Sequence, residues 1–231
     1  MIRKIDDGVN SLTRAQVIPL RKGERTAKRI LDIALDRFSR LGFDRVTMAD
    51  IAEAAGVSEP LLHYHFRDKD HLWRSAILAL GDAIAEERRI LIAAQGERAI
   101  VRLRIALRLF LQVSWKHPAL GRIVALEGMA GGPRLKWLVD NLIGPRNRYL
   151  VDLVKEAMAD GDLKQLPPEQ LVITLQTGAV GVINLAPLMK TAFGIDTAKA
   201  AAQAAHMDMV LDALLGGIVT DSSNIKRKRA S

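Results

Sequence analysis

Apolar residues recur every three or four positions along most of this chain, and this spacing predicts helices rather than strands. The clearest stripe lies between about residues 21 and 41 and consists of Ala27, Ile30, Leu31, Ala34, Leu35, Phe38 and Leu41. Gly42 follows this stripe, and a glycine in that place is typical of a helix end. Alternating runs rich in β-branched residues are few. The pattern therefore predicts an all-α fold of about nine helices.

The eight later helices are separated by glycine, proline and capping residues. Their approximate ranges are 48–55, 59–66, 68–93, 97–116, 118–129, 134–160, 167–192 and 197–215. Gly144 and Pro145 fall in the middle of the seventh helix and predict a kink or break there. Asp196 or Thr197 is expected to cap the ninth helix.

Residues 47–69 read TMADIAEAAGVSEPLLHYHFRDK and predict two short helices joined by a tight turn. Thr47 is a good N-cap, and Asp50 three residues later completes a variant of the capping box. Gly56 stands where a left-handed residue would end the first helix, and Ser58 is placed to cap the second. This helix-turn-helix order makes DNA the first expected partner.

The second helix of the motif is expected to expose most of its side chains. Leu62 and Phe66 stand four apart and are expected to face inward. A carboxylate and a proline both suit the first helical turn, because the helix end is positive and the proline N–H is not needed there. The side chains expected at or near the outer surface are Glu59, Pro60, Leu61, His63, Tyr64 and His65. A helix that enters the DNA major groove needs this exposure.

Composition limits the class of protein but does not by itself identify DNA as the partner. The chain has 231 residues, 49% of them hydrophobic, which is ample for a core. Its formal net charge of +8 indicates affinity for polyanions. However, residues 1–70 hold 13 Lys plus Arg against 11 Asp plus Glu, a net of +2, while the other 161 residues hold 21 against 15, a net of +6. The prediction of DNA binding therefore depends on the motif.

Two clusters of basic residues are candidates for phosphate contact. One lies at the start of the first helix, where Arg25 and Lys28 are the strongest candidates and only Glu24 opposes them. This cluster consists of Arg21, Lys22, Arg25, Lys28 and Arg29. The other cluster ends the chain and consists of Lys226, Arg227, Lys228 and Arg229. A solvated basic end is the alternative interpretation of the second cluster.

Several function classes are not expected from this sequence. Because the chain has no cysteine, disulfides and thiolate chemistry are excluded. No run reaches the roughly 18 apolar residues of a membrane span, and no secretion signal is evident, so a cytoplasmic location is expected. His63 and His65 do not share a helix face and lack partners at ligand spacing, so no metal or cofactor is expected. The chain has no HExxH, Gly-rich phosphate loop or nucleophile–base set, so no enzyme is expected.

Residues 25–75 carry many positions whose spacings agree at once with one known pattern. These positions are Arg29, Ile30, Leu31, Ala34, Phe38, Gly42, Phe43, Thr47, Ile51, Ala52, Ala55, Gly56, Val57, Ser58, Tyr64, His65, Phe66, Lys69 and Leu72. In them the chain resembles the N-terminal domain of the TetR family of bacterial transcriptional regulators. The rest of the chain agrees with that family only in helix number and approximate length. The resemblance implies a homodimer that binds a palindromic operator and releases it when a small molecule occupies the C-terminal domain.

The resemblance divides the chain into four expected parts. They are an arm at residues 1–20, a DNA-binding domain at 21–68, a ligand-binding and dimerisation domain at 69–220 and a basic tail at 221–231. The residues expected to contact DNA, from the motif and the resemblance together, are Arg25, Lys28, Thr47, Ser58, Glu59, Pro60, Leu61, His63, Tyr64, His65 and Lys69.

The expected contacts differ along the motif. Glu59, Pro60 and Leu61 fall where family members meet base edges, although Leu61 departs from the small polar residues often found there. Contact with a thymine methyl is the role left to it. Thr47 and Lys69 fall at helix starts that suit phosphate. The alternatives are a core-capping role for Tyr64 and a helix-dipole role for Glu59.

The larger domain offers candidates for a cavity lined by large apolar groups with a few polar anchors. They are Trp115, His117, Met129, Trp137, Asn141, Tyr149, Gln176 and Asn184. Asn184 is the strongest of them, because an amide between Ile183 and Leu185 needs a hydrogen-bond partner. Ordinary core or surface placement is the alternative for each one.

Small residues in the eighth and ninth helices are candidates for a dimer interface, because they let helix backbones approach closely. They are Gly178, Ala179, Gly181, Ala198, Ala201, Ala202 and Ala205. Packing of the same helices within one chain is the alternative.

The leading hypothesis is a homodimeric regulator, most simply a repressor, whose partners are double-stranded operator DNA and a small, mainly apolar effector. The alternative is a ligand-sequestering helical protein that has kept the fold without binding an operator. Leu61 and the near-neutral first 70 residues motivate that alternative.

Overall fold

The computed structural model describes residues 22–80 and 89–220, which contain eleven α-helices, one π-helical turn and no β-strand. The α-helices are Lys22–Leu41 (α1), Met48–Ala55 (α2), Glu59–His65 (α3), Lys69–Leu78 (α4), Ala99–Lys116 (α5), Pro118–Ala130 (α6), Pro133–Leu138 (α7), Gly144–Ala159 (α8), Pro168–Asn184 (α9), Ala186–Phe193 (α10) and Ala200–Gly216 (α11). Residues 89–93 are also helical. The predicted all-α class is confirmed. The predicted arm, Arg21 and the basic tail lie outside the described residues.

The first hydrophobic core joins the helix-turn-helix region to the larger helical region. Buried residues of α1 to α4 form one cluster, and Ile123 of α6 and Leu138 of α7 belong to it as well. Trp73 of α4 is 1% exposed, and its ring meets the Trp137 ring edge-on at 5.5 Å. Each large side chain buried in this way contributes roughly 1.5–3 kcal/mol. The boundary between residues 68 and 69 stays a prediction, and the first core extends across it.

A second core fills the bundle formed by α5, α8, α9 and α11. Its most enclosed members come from α5 and α8, including Leu103, Leu107 and Val154. A smaller third cluster, with Leu111 and Ile183, continues the packing of α5 against α9. α5, α8 and α9 are amphipathic at helical spacing, whereas the small and apolar residues of α11 are spread around its circumference.

The fourth helix is shorter than predicted. Asp68 caps it as expected, since Asp68 Oδ1 accepts a hydrogen bond from the His71 N–H at 2.7 Å. The helix ends at Leu78, and residues 79–80 form a turn. The sequence continues with Gly81, and glycine is a poor helix former. The prediction of one helix to residue 93 is therefore wrong, because the helix ends at Leu78. Residues 81–88 lie outside the described residues.

The predicted seventh helix contains an irregular turn, as Gly144 and Pro145 indicated, but the irregularity precedes them. Residues Val139–Ile143 form a π-helical turn between α7 and α8. A Cβ on Gly144 would lie 2.5 Å from the Val139 carbonyl oxygen, so this backbone approach requires glycine. Pro145 then falls in the first turn of α8, where its missing N–H is tolerated.

The predicted eighth helix is two helices. α9 ends at Asn184, α10 begins at Ala186, and their axes differ by 61°. Pro187 explains the break, because a continuous helix would bring its ring against the Ile183 carbonyl. Among the described residues, no single helix is long and apolar enough to cross a membrane; α9 and α10 reach that length and apolarity only together, across their bend.

The last helix begins later than predicted. Asp196 Oδ1 accepts a hydrogen bond from the Ala198 N–H at 3.1 Å, which closes a local turn rather than capping a helix. Thr197 is buried, and α11 begins at Ala200 with Lys199 as its N-cap. The predicted cap at Asp196 or Thr197 is therefore wrong. Aspartate side chains favour such turns as strongly as they favour helix caps.

Candidate nucleic-acid interface and ligand cavity

The first helix of the motif, α2, begins and ends as the sequence predicts. Thr47 Oγ1 accepts from the Asp50 N–H at 3.1 Å, and Asp50 Oδ2 accepts from the Thr47 N–H at 2.9 Å. These hydrogen bonds with the Thr47 side chain and backbone hold the pKa of Asp50 below its usual range. Gly56 ends the helix in the left-handed region, with φ at 60°. The exposed Thr47 hydroxyl therefore lies at a fixed helix start.

The second helix of the motif, α3, is anchored on one side and exposed on the other. Ser58 Oγ accepts from the Leu61 N–H at 3.4 Å, which caps the helix. Leu62 is fully buried and Phe66 is 6% exposed, so the predicted inward pair is confirmed. A short helix held by one cap and two buried side chains can present its outer residues without bending.

The outer face of α3 carries the residues expected to meet DNA. Tyr64 is 83% exposed, which excludes the alternative of a core-capping role. Its ring meets the half-buried His65 ring edge-on at 5.4 Å. Glu59 Oε1 lies 3.8 Å from His63 Nε2, one helical turn away, and both side chains are about half exposed. Leu61 is 39% exposed. Pro60 is exposed in the first turn.

Lys69 has a structural role that the sequence did not predict. Its Nζ donates to the carbonyl oxygens of Phe43 at 3.2 Å and Val46 at 3.0 Å, and it lies 4.3 Å from the centre of the Phe43 ring. These carbonyls belong to residues 42–47 between α1 and α2, here called the Phe43 loop. Lys69 therefore ties the start of α4 to the loop that leads into α2. One ammonium proton remains for the expected phosphate contact.

The basic start of α1 is exposed where the structure describes its side chains. Arg25 and Arg29 are exposed. Lys28 Nζ forms an exposed ion pair with Asp32 Oδ2 at 3.4 Å, one turn further along the helix. Such an exposed pair is worth little in water and leaves the lysine able to exchange its partner for a phosphate. The expected contacts of Arg25 and Lys28 with DNA stay predictions.

The larger region contains a mainly apolar cavity of about 580 Å³ between α5, α6, the π-helical turn, α8 and α9. Four of the eight predicted residues lie in its wall: His117, Met129, Gln176 and Asn184. The other four lie elsewhere. Trp137 packs on Trp73, and the exposed Asn141 donates to the Trp137 carbonyl at 2.9 Å. Trp115 meets the His206 ring edge-on at 5.9 Å in the third core.

Trp137, Asn141, Trp115 and Tyr149 therefore lie outside the wall of this cavity, and a ligand-binding role for them stays a prediction. Residue type alone predicted these positions, and large aromatic residues lie in ordinary cores more often than in ligand sites. The Tyr149 hydroxyl is buried and has no hydrogen-bond partner among the described residues, yet it lies outside this wall.

Two buried polar atoms in the cavity wall have no hydrogen-bond partner among the described residues, His117 Nε2 and Asn184 Oδ1. Asn184 Oδ1 lies near Gly121, since a Cβ on Gly121 would be 3.2 Å from it. Burial, and then the positive charge of Lys116, lowers the pKa of His117. The imidazole is therefore neutral at physiological pH and offers one donor and one acceptor.

Two further polar residues lie in the wall that were not predicted from the sequence. The Arg146 guanidinium lies over the Phe110 ring at 4.7 Å, and Asn147 Oδ1 accepts from Gln176 Nε2 at 3.1 Å. Both follow Gly144 and Pro145 directly. Their position directly after Gly144 and Pro145 was the sequence feature that could have predicted them as cavity residues, because π-helical turns are frequent at functional sites.

A chain of contacts links this cavity to the Phe43 loop. Gly128 and Met129 of α6 lie in the cavity wall, and Glu127 beside them is 5% exposed. Glu127 Oε1 accepts from Arg134 Nε at 2.9 Å. The Arg134 guanidinium in turn lies 4.2 Å from the Phe43 ring. These contacts connect α6 to the loop that Lys69 contacts.

The small residues predicted for a dimer interface differ in their exposure. Ala179 is fully buried within its own chain, and its carbonyl oxygen lies 2.8 Å from His206 Nε2. The prediction is wrong at Ala179, because the spacing of small residues does not reveal which side of a helix faces its own core. The residues that are exposed or half-buried are Gly178, Gly181, Ala198, Ala201, Ala202 and Ala205.

Gly178 also packs within the chain. A Cβ on Gly178 would lie 3.3 Å from Leu214 Cδ1, so this glycine lets α9 and α11 approach each other. Ala198 lies in the turn before α11 rather than in that helix. The alternative of packing within one chain therefore accounts for Ala179 and contributes at Gly178.

Comparison with known proteins places both regions in one family pattern. A family model described as bacterial regulatory proteins of the tetR family matches residues 30–76, and one described as a tetracyclin repressor-like C-terminal domain matches residues 100–214. Among curated proteins, the HTH-type transcriptional regulator RutR of Escherichia coli (strain K12) is 30% identical over 172 residues, which cover 72% of this chain and 78% of RutR.

Solved structures share the fold. The ketosteroid transcriptional regulator KstR2 of Mycobacterium tuberculosis has a TM-score of 0.62 at 20% identity, with 84% of this chain and 95% of that chain covered. The fatty acid degradation regulator FadR from Bacillus halodurans has a TM-score of 0.61 at 19% identity, with 83% and 95% covered. At this identity the likeness concerns the fold alone.

Proposed function

The chain belongs to the TetR family of bacterial transcriptional regulators, and from this premise we propose that it is a homodimeric repressor. It binds a palindromic operator and releases it when a small, mainly apolar ligand occupies the 580 Å³ cavity. The observation that carries the proposal is the anchored but exposed α3, whose Tyr64 is 83% exposed while Leu62 beneath it is fully buried.

The α3 helix is the DNA-reading element in this proposal. Two copies of α3 in a dimer enter successive major grooves about 34 Å apart. Glu59 and Leu61 face base edges, where a carboxylate accepts from cytosine and an aliphatic side chain contacts a thymine methyl. The exposed Thr47 hydroxyl and the start of α4 face phosphates, because helix N-terminal amides attract anions.

Exposed faces of α9 and α11 supply the dimer interface. On α9 the exposed or half-buried residues of one face include Ile173, Thr177 and Gly181, of which Ile173 and Thr177 also belong to the cavity wall. On α11 the matching face includes Ala205 and Met209, the latter 54% exposed. Small and apolar residues on two neighbouring helices suit a four-helix contact with a symmetry-related copy.

Ligand and DNA are coupled through α6. A ligand that fills the cavity presses on the wall residues Gly128 and Met129, and the same helix carries Glu127. The Glu127–Arg134 ion pair transfers this displacement to Phe43, which Lys69 also contacts. The separation between the two copies of α3 in the dimer then changes, and the operator is released. Such coupling needs only a ligand that prefers one of two arrangements.

A retardation experiment tests this function. Purified full-length protein is titrated against a palindromic fragment from its own upstream region and against random DNA of equal length, at about 150 mM salt. We expect at least a roughly hundredfold preference for the palindromic fragment, as specific regulators show. Equal affinity for the two fragments would refute the proposal. Footprinting on the same fragment then measures the spacing of the half-sites.

Sequestration of a ligand without operator binding is the second candidate, motivated by Leu61 and by the small net charge of residues 1–70. It predicts ligand binding together with equal, salt-sensitive affinity for all DNA. The same retardation experiment therefore separates the two candidates.

A further inference from the structure

The mainly apolar wall of the cavity contains a buried hydrogen-bond acceptor that has no partner among the described residues. Resting on the function proposed above, we propose that the effector is an uncharged molecule with an apolar body and a hydroxyl group that donates a hydrogen bond to Asn184 Oδ1. The hydroxyl lies at the end of the cavity where α5 and α9 end and α6 begins.

Asn184, the last residue of α9, carries this acceptor. The residue belongs to the cavity wall, and its Oδ1 is buried without a hydrogen-bond partner among the described residues. An amide oxygen accepts hydrogen bonds but cannot donate one. A buried acceptor without a partner costs free energy, so a ligand that supplies a donor gains affinity there.

Gly121 of α6 faces this acceptor without a side chain. A Cβ on Gly121 would lie 3.2 Å from Asn184 Oδ1, so a larger residue would crowd the amide oxygen. The helical backbone of Gly121 does not itself require glycine, since its φ is not positive. The terminal torsion of an asparagine side chain has a broad minimum, so a small rotation of the amide turns Oδ1 toward the cavity. The glycine therefore leaves the amide free to meet a ligand.

His117 adds a second uncharged polar group at the same end of the cavity. Leu111 of α5 and Ile183 of α9 belong to one cluster near the C-terminal ends of both helices. His117 directly follows α5 and Asn184 ends α9, so the two wall residues lie at the same end. His117 Nε2 is buried without a partner among the described residues, and burial lowers the pKa of this imidazole, which is therefore neutral at physiological pH. These two side chains offer hydrogen bonds without charge.

Three other polar side chains of the wall have partners within the protein. Asn147 Oδ1 accepts from Gln176 Nε2 at 3.1 Å. Arg146 lies over the Phe110 ring at 4.7 Å and is engaged further within the protein, so its guanidinium is not free for a ligand. A carboxylate is only an acceptor at neutral pH and cannot supply the proton that Asn184 Oδ1 needs. The wall therefore favours an alcohol over a carboxylic acid.

The remainder of the cavity suits the apolar body of the ligand. Its wall includes the aliphatic side chains of Val113, Val124, Ile143 and Val180. The volume of about 580 Å³ is within the range of pockets that hold small molecules. Burial of the apolar body supplies most of the affinity, and the hydroxyl supplies the selectivity.

Three probes of equal carbon number test the proposal: racemic 2-octanol, 2-octanone and octanoate. The alcohol and the ketone share one carbon skeleton, and only the alcohol can donate to Asn184 Oδ1. Calorimetric titration into the full-length protein, without DNA, measures each affinity. We expect 2-octanol to bind at least about fivefold more tightly than 2-octanone and than octanoate. Equal affinities, tighter binding of the ketone or the acid, or no binding of 2-octanol at 1 mM (roughly the weakest useful affinity) would overturn the proposal.

Variants assign the preference for the alcohol to Asn184. Asn184→Leu removes the acceptor and should reduce the ratio of 2-octanol affinity to 2-octanone affinity to about one. Gly121→Ala crowds the amide oxygen and should also lower this ratio. Gly128→Ala, in the wall on the same helix, is its matched control and should keep the ratio, because a Cβ there meets no atom within 4 Å. An unchanged ratio in Asn184→Leu would refute the hydroxyl site.

The thermal unfolding midpoint of each variant shows that it is folded before titration. Failure of the proposed function is distinguishable from failure of this inference, because the titrations contain no DNA. A protein that prefers the alcohol to the ketone but does not prefer the operator keeps the inference and loses the function. A protein that prefers the operator but not the alcohol keeps the function and refutes this ligand class.

Discussion

The Arg134 guanidinium lies 4.2 Å from the centre of the Phe43 ring, and the Lys69 ammonium lies 4.3 Å from the same centre. Arg134 belongs to α7 beside the cavity wall, whereas Phe43 precedes the helix-turn-helix. Glu127, which is 5% exposed, forms an ion pair with Arg134. An aromatic ring with two cations is stabilised by cation–π attraction to each of them. This arrangement joins the two regions by directional contacts in addition to their shared core.

Arg134→Met should destabilise the protein by about 2–3 kcal/mol, because it leaves the buried Glu127 carboxylate without its partner. Urea unfolding measures the loss. The double variant Glu127→Gln, Arg134→Met is the control and should recover at least about 1 kcal/mol, since the uncompensated charge is gone. Equal stability of the single and double variants would contradict this account of the ion pair.

The same double variant tests the proposed coupling. In a folded protein without this pair, ligand should still bind but should release the operator less completely. The measurement is the ratio of operator affinities with and without saturating ligand, which we expect to fall at least about fivefold. An unchanged ratio would mean that the signal passes through the shared core or through α4 instead.

Tyr64→Ala should lower operator affinity at least about tenfold and change stability by less than about 0.5 kcal/mol, because the side chain is 83% exposed. Tyr64→Phe, which keeps the ring, separates stacking or apolar contact from a hydrogen bond of the hydroxyl. Retardation and thermal unfolding are measured on the same preparations. A large loss of stability in Tyr64→Ala would show that the ring supports the fold.

The local features of the helix-turn-helix could be predicted from the sequence because they depend on neighbours in the chain. Thr47, Asp50, Gly56 and Ser58 act on backbone groups within three or four residues, and the structure has each of them in its predicted place. Short-range hydrogen bonds and steric limits on φ decide such features. The break at Pro187 is equally local, but a single proline suits a kink as well as a break, so the sequence alone does not decide between one bent helix and two.

The cavity and the faces of the later helices could not be predicted in this way. Whether Ala179 meets its own core or a second copy depends on how α9 packs against α5 and α11, which are distant in sequence. Trp137 was expected in the cavity, yet its partner is Trp73, 64 residues earlier in the chain. Only tertiary packing decides between such partners, and helical periodicity states only that a partner exists.

Ala205→Glu should convert the proposed dimer to a monomer and weaken operator binding with it. Ala205 is exposed in its own chain, so the monomer should stay folded. A carboxylate buried beside its symmetry mate has no partner, which costs several kcal/mol of association free energy. Analytical ultracentrifugation measures the oligomeric state. Leu41→Lys, at an exposed apolar position of α1, is the control and should stay dimeric.

Stability should depend on the protonation of His117. Because burial lowers its pKa below the ordinary value of 6.5, the unfolded chain binds this proton first as the pH falls. Stability is therefore lost from about pH 6.5 downward, through the lowered folded pKa. His117→Gln removes this component. Urea unfolding across this range should show a flatter profile for the variant, and superimposable profiles would contradict the assignment.

Lys69 has both a structural and an expected DNA-binding role, and two substitutions separate them. Lys69→Met removes the hydrogen bonds to the carbonyls of Phe43 and Val46 and should cost about 1–2 kcal/mol of stability. It should also weaken operator binding, because the Phe43 loop leads directly into α2. Lys69→Arg keeps the charge but changes the donor geometry, so it should lose stability while retaining most of the electrostatic attraction.

If the third ammonium proton contacts a phosphate, the slope of log affinity against log salt falls by about 1 in Lys69→Met and stays unchanged in Lys69→Arg. An unchanged slope in both variants would assign Lys69 to loop positioning alone.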